Sequence, residues 1–189
     1  ELVSRLNEGR WIDANGSRFL LDRTRGEDMQ LFLDPLTGVY SRRYFETYRT
    51  HLEGMEGVAL IDVNSFKHIN DTCGHAAGDA ALRDIAGAIR SCIRKTDILI
   101  RYGGDEFLLF FPSIPSDIFA SRLEEIRRRV ESITVPGCPN FKPTVSIGGV
   151  YGAHPLADAI HRADLKMYDA KHERNHVSVS ILPPPTTGF

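Results

Sequence analysis

The chain is short of the features that mark secreted, membrane-spanning or nucleic-acid-wrapping proteins. Its three cysteines, Cys73, Cys92 and Cys138, are too few and too irregularly spaced for a disulfide framework or a zinc site. They are therefore expected to be reduced thiols. No apolar stretch approaches the ~20 residues that cross a bilayer, and no segment reads as a secretory leader. With 23 basic and 25 acidic residues the net charge is −2, which offers no broad attraction to nucleic acid or to an anionic membrane. A highly charged ligand would have to be held by local cations and metal. These absences point to a cytoplasmic protein with no direct membrane contact from this segment. Glu1 is not preceded by methionine, as expected for a piece of something longer.

What is present is ordinary for a globular domain: 42% hydrophobic and 25% charged residues, in a length of 189 that suits one domain plus an extra segment. Residues 1–33 differ from the rest. Asn15-Gly16 between apolar groups (Trp11-Ile12 and Phe19-Leu20-Leu21) signals a short hairpin, followed by a polar stretch from Asp22 to Gln30. This part is expected to be a linker or the remnant of an upstream domain. Residues 34–182 form the main domain, and 183–189, opening on Pro183-Pro184-Pro185, a flexible tail.

Within the main domain, Tyr44, Phe45, Tyr48 and Leu52 have helical spacing over Ser41 to Glu53, with Ser41 as N-cap. Strand 58–62, a turn of helix at 64–70, a helix from Ala77 to Ile93 and a hairpin over 97–111 follow. A helix from Ile118 to Ile133, a strand over 144–150, a helix from Leu156 to about Lys171 and an edge strand from Val177 to Leu182 complete it. Arg127-Arg128-Arg129 reads as a solvated helix face. This order predicts an α+β sheet with helices packed mainly on one face.

The densest chemistry lies at residues 101–107, Arg-Tyr-Gly-Gly-Asp-Glu-Phe, between the apolar runs Ile98-Leu99-Ile100 and Phe107-Leu108-Leu109-Phe110-Phe111. Paired glycines tolerate the positive φ of tight hairpin turns, so Asp105 and Glu106 are expected at a hairpin tip beside bare backbone. Read alone, the heptad fits a solvated turn and a metal–phosphate site equally well. A second apolar strand, Val58-Ala59-Leu60-Ile61, ends in Asp62. If the two strands are sheet neighbours, three carboxylates meet and could hold one or two Mg²⁺ ions. Asp62-Val63-Asn64 does not open an EF-hand, because Phe66 and Lys67 stand where that loop needs an oxygen ligand and a glycine.

Together with Asp34-Pro35-Leu36-Thr37-Gly38 and Asn70-Asp71-Thr72-Cys73-Gly74-His75-Ala76-Ala77-Gly78-Asp79, the heptad resembles the GGDEF family of diguanylate cyclases, with five motifs in the family's order between about Asp34 and Ser180. The resemblance implies a ferredoxin-like, nucleotidyl-cyclase-type, antiparallel-rich sheet with packed helices. It implies a homodimer, each protomer presenting one GTP, that makes cyclic di-GMP and pyrophosphate with Mg²⁺, or Mn²⁺ in its place, as part of a larger sensor protein. A catalytically weak receptor domain that binds GTP or cyclic di-GMP is the alternative.

Carried over residue by residue, the resemblance makes Asp62, Asp105 and the Val63 carbonyl the metal ligands. Glu106 helps place the metal or deprotonates the attacking hydroxyl. Backbone around Ser65 and Phe66 would cradle phosphates, with Lys67 as a further phosphate partner or merely an exposed lysine. Asn70 and Asp79 would read guanine, whose N1–H and exocyclic amine suit a carboxylate acceptor. The alternative for these two is capping, Asn70 of a turn and Asp79 of a helix starting near Ala80. Two departures stand out: the family usually carries Asp at Asn64 and a large residue at Ser65. Another is Lys171-His172-Glu173-Arg174-Asn175, one spacer shorter than the family pattern and without its glycine. Lys171 and Arg174 are the phosphate contacts there, and at i,i+3 they can share a helix face. Arg94 and Asp97 stand where the family places its RxxD product-inhibition site. The plain alternative is a surface salt pair at a helix end.

Overall fold

The computed structural model describes residues 11–12, 18–19, 30–152 and 155–181. Two short strands, β1 (Trp11–Ile12) and β2 (Arg18–Phe19), pair antiparallel as the hairpin signal predicts, although the Asn15-Gly16 turn lies outside the described residues, as does the 183–189 tail. The domain proper runs β3 (Tyr40–Ser41), α1 (Arg42–Thr47), β4 (Gly57–Val63), α2 (Phe66–Cys73) and α3 (His75–Ser91). It continues through β5 (Ile98–Arg101), β6 (Glu106–Phe111), α4 (Ser116–Glu131), β7 (Val145–Tyr151), α5 (Leu156–Glu173) and β8 (Val177–Ile181). Six strands form one mixed sheet in the order β3-β5-β6-β4-β7-β8. β4 lies at its centre, antiparallel to both β6 and β7, and β8 closes one edge parallel to β7.

The expectation that the helices lie mainly on one face is not met. Strand side chains alternate across the sheet, and both faces here are apolar. Ala59, Ile61, Phe107, Leu109 and Ile147 point to α3 and α4, with Ile85, Ile89, Leu123 and Ile126 packed against them. Val58, Leu60, Leu108, Phe110 and Val150 point the other way, where Phe45 of α1 and Leu156, Ala159 and Met167 of α5 cover them. Unbroken apolar runs such as Phe107–Phe111 are the sequence mark of a strand buried on both sides. Each fully buried Phe, Leu or Ile contributes roughly 1.5–3 kcal/mol.

The helix anticipated over Ser41–Glu53 divides into α1 and a 3₁₀ turn at Arg49–Leu52. Ser41 does stand at the N-cap position, but its hydroxyl makes no capping hydrogen bond. It belongs to β3, and its oxygen is buried without a hydrogen-bond partner. The basic run on α4 is divided too: Arg127 is largely covered and paired with Glu124 and Glu131, while Arg128 is open to solvent.

Candidate active site

Asp62, next to last in β4, stands opposite Glu106, the first residue of β6, in the antiparallel register. The Val63 N–H donates to the carbonyl of Asp105 at 3.0 Å, tying the strand end to the hairpin tip. The sheet thus brings Asp62, Asp105 and Glu106 together at one end of its central strands. Asp62 is only 8% exposed, and its Oδ2 lies 3.0 Å from Nζ of Lys171 on the last turn of α5. Burial pushes the Asp62 carboxyl above its usual range despite that cation. Burial likewise raises Glu106, and the neighbouring charges of Asp62 and Asp105 add to the effect.

The anticipated reason for glycine in the tip is not met. Neither Gly103 nor Gly104 takes a left-handed φ. Instead the Glu106 side chain folds over Gly103, where a Cβ would sit 2.8 Å from Glu106 Oε2. The tip is also braced by groups to which sequence reading attached no role. Arg101 donates from Nε and Nη2 to the carbonyl of Gly104, at 3.2 and 2.7 Å. Its Nη1 reaches both carboxylate oxygens of Asp34, at 3.0 and 3.2 Å. Asp34 in turn accepts from the backbone N–H of Leu36 and Thr37 and the Thr37 hydroxyl. Burial pushes the Asp34 carboxyl up, but these hydrogen bonds and Arg101 outweigh it and hold it below its usual range. The signal was in plain view: Asp34 and Arg101 both belong to the quoted motifs.

Among the described residues, no three His, Cys, Asp or Glu groups converge into a ready-made metal cage. Mg²⁺ usually takes one or two carboxylates and leaves its other positions to water and substrate phosphate. Asp62, Asp105 and the Val63 carbonyl are hard oxygen donors of that kind.

Just beyond β4, Ser65 adopts a left-handed conformation (φ 56°) at the N-terminus of α2. Asn64 anchors this turn to β7 and its approach: its N–H donates to the Thr144 carbonyl at 2.9 Å. Its side-chain amide donates to Thr144 Oγ1 at 3.1 Å and accepts from the Ser146 hydroxyl at 2.8 Å. The exposed N–H groups opening α2 therefore have a fixed direction. Phe66 packs against the core and Lys67 is exposed.

Asn70 lies on α2 and Asp79 on α3. The capping alternative for Asp79 fails, because α3 begins at His75 with Gly74 at the cap position. The Asn70 carboxamide rests directly on the backbone of Gly78, leaving no room there for a Cβ. Asp79 is open to solvent beside it.

The reading of all three cysteines as reduced thiols is overturned: Cys73 and Cys138 form a disulfide, with Cα atoms 5.8 Å apart. They are 65 residues apart in the chain, so linear spacing carries no trace of the pair. The fold joins them over Ile69, Ala77, Ala81 and Val135. Cys92 is the free cysteine, buried, with its thiol pushed up by that burial.

At the far end of α5 the shortened motif breaks the helix. α5 ends at Glu173, and Arg174 (φ 53°) and Asn175 (φ 46°) turn left-handed. Arg174 therefore does not share a helix face with Lys171. The turn is pinned by Asn175 Nδ2, which donates to Glu131 Oε1 at 2.9 Å, while Glu131 Oε2 pairs with Arg127 at 2.9 Å.

The family model described as "Diguanylate cyclase, GGDEF domain" matches residues 31–176. The chain belongs to the GGDEF family. It is 36% identical over 153 residues to diguanylate cyclase DgcM of Escherichia coli, covering 76% of this chain and 37% of that protein. It is 39% identical over 129 residues to diguanylate cyclase A of Treponema denticola, covering 65% of this chain and 34% of that one. The chain thus spans little more than a third of each of these two relatives. The GGDEF domain of DgcB from Caulobacter crescentus, solved in complex with c-di-GMP, superimposes with a TM-score of 0.71 at 30% identity, over 78% of this chain and 95% of that one. A nucleotidyl-cyclase-like α+β fold is shared across these structures.

On this GGDEF domain, Arg94 and Asp97 lie away from the carboxylates, between α3 and β5. They border a cavity of about 290 Å³ shared with Gly38, Tyr40 and Arg90. The salt-pair alternative is not what joins them: the bond runs from the Arg94 backbone N–H to Asp97 Oδ2, at 2.7 Å. The other oxygen of Asp97 is buried without a partner, and burial raises its carboxyl. The Arg94 side chain is exposed. No helix among the described residues is long and apolar enough to cross a membrane.

Proposed function

We propose that this domain condenses two GTP molecules into cyclic di-GMP, releasing two pyrophosphates, with one GTP held by each protomer of a homodimer. The observation that carries the reading is the register of Asp62 opposite Glu106, with Asp105 at the adjoining tip. It sets three carboxylates near the left-handed turn at Ser65. A bound Mg²⁺ (or Mn²⁺) would be held by Asp62, Asp105 and the Val63 carbonyl, and would offset charge at the α-phosphate. The N–H groups at the start of α2, with Lys67, hold the terminal phosphates. Asn70 and Asp79 read the guanine edge, where Asp79 accepts from N1–H and the exocyclic amine; adenine offers no such donor pair. Glu106 accepts the proton of the ribose 3′-hydroxyl as it attacks the partner GTP, a role favoured by its raised affinity for protons. Lys171 exchanges Asp62 for a phosphate oxygen when substrate arrives.

Arg94 and Asp97 form the product site, where the Asp97 carboxylate accepts from guanine N–H groups and Arg94 bonds a guanine edge or phosphate. The reading as a weakly catalytic receptor is favoured by one observation, the displacement of Arg174 from the helix that carries Lys171.

Incubation of nucleotide-free protein with GTP and Mg²⁺, followed by chromatography, tests the proposal. Cyclic di-GMP should accumulate with wild type and not with Asp105→Asn, whose fold should be intact by circular dichroism. Binding of GTP without turnover would favour the receptor.

A further inference from the structure

The loop between α4 and β7 holds the nucleotide-facing segment 64–79 at two points. At one, Thr144 bonds Asn64 through both backbone and side chain. At the other, Cys138 is joined to Cys73, the last residue of α2. Cys73 follows Asn70 by three residues, less than one helical turn, and borders the Gly74 junction (φ 84°) from which α3 and Asp79 depart. The cluster beneath α2, formed by Ile69, Ala77, Ala81, Val135 and Cys138, is a small one, joined to the core on the α3–α4 face through Phe66 and Ile133. The covalent link ties this small cluster to the loop that carries Val135 and Cys138.

We propose that Cys73 and Cys138 are a redox-responsive thiol–disulfide site that sets the affinity of the guanine-reading segment for nucleotide. The inference rests on the GTP-binding reading above. Cys73 is partly exposed and Cys138 is buried, which orders the chemistry. The Cys73 thiolate attacks one sulfur of a small-molecule disulfide such as glutathione disulfide, giving a mixed disulfide and one glutathione thiolate. The Cys138 thiolate then attacks Cys73 sulfur and expels the second glutathione. Two protein thiols are oxidised and one glutathione disulfide is reduced to two thiols. The closed form keeps Asn70 seated on Gly78; opening frees the α2–α3 junction, so part of the GTP binding energy goes into ordering it. The carboxylates on β4 and the hairpin lie outside the tethered segment. Reduction should therefore raise KM and leave kcat nearly unchanged.

The test equilibrates the purified protein with glutathione disulfide or with reduced glutathione, removes the reagent, and counts alkylatable thiols in denaturant by mass spectrometry. One thiol (Cys92) is expected in the oxidised form and three in the reduced form. KM for GTP should be at least about five-fold higher after reduction, and this difference should vanish in both Cys73→Ala and Cys138→Ser. Failure of the disulfide to form, or equal KM values in the two wild-type forms, overturns the inference while leaving the cyclase reading intact. If neither form makes cyclic di-GMP, the cyclase reading fails. GTP affinity of the two forms by equilibrium dialysis then decides the inference by the same criterion, and absence of measurable GTP binding in both overturns it.

Discussion

Lys171 Nζ sits 3.0 Å from Asp62 Oδ2, so the lysine at the end of α5 pairs with the carboxylate at the end of β4. The lysine spares the buried Asp62 the cost of an unpaired charge, and at the proposed metal site it would compete with Mg²⁺. Lys171→Met should tighten Mn²⁺ binding, measured by titration with electron paramagnetic resonance detection. It should also lower kcat/KM for GTP roughly ten-fold or more, because a charge-assisted contact of ~1.5–3 kcal/mol is lost. Weaker metal binding in the variant would contradict the competition.

Asp34 ties the start of the domain to the hairpin through Arg101, and its lowered carboxyl makes the tie pH-dependent. The unfolded value is about 3.9 and the folded value lies below it. The contribution is therefore fully present above that unfolded value and is lost as pH falls through the folded one. Asp34→Asn should cost roughly 1–3 kcal/mol at neutral pH. Thermal melts should show the gap to wild type closing below about pH 4. A gap that stays constant down to acid would mean that the negative charge is not what matters.

Asp79 faces solvent beside Asn70, well inside α3 rather than at its cap. Asp79→Ser should shift the GTP-to-ATP ratio toward ATP by roughly ten-fold or more, the weight of a ~1.5–3 kcal/mol hydrogen bond to a charged group. Melting temperature should barely change, since no helix cap is removed. An unchanged ratio in a direct competition assay would remove Asp79 from the reader.

Arg94 presents an exposed side chain, and its backbone N–H donates to Asp97 Oδ2. Binding there inhibits only if it favours the unproductive arrangement of two domains. Arg94→Ala should weaken cyclic di-GMP binding and straighten the progress curve without lowering the initial rate of nucleotide-stripped enzyme. Identical curves for the stripped proteins would dissolve the feedback role, and a lost initial rate would move Arg94 into the active site or the fold.

Much of this molecule is legible in its linear order because the physics involved is local. Alternating and continuous apolar runs marked the strands, helical spacing marked α3, α4 and α5, and the heptad 101–107 with Asp62 marked the carboxylates. The sequence by itself therefore determined the element order and which residue types stand at strand ends and helix starts. Only the tertiary structure decided the contacts between distant segments. It set Asp62 against Glu106 and Lys171, Asn64 against Thr144 and Ser146, Arg101 against Asp34, and Cys73 against Cys138. It covered both faces of the sheet, and it broke α5 before Arg174. Partners dozens of residues apart share no period, so what brings them together is the burial of both sheet faces, which one segment cannot specify alone.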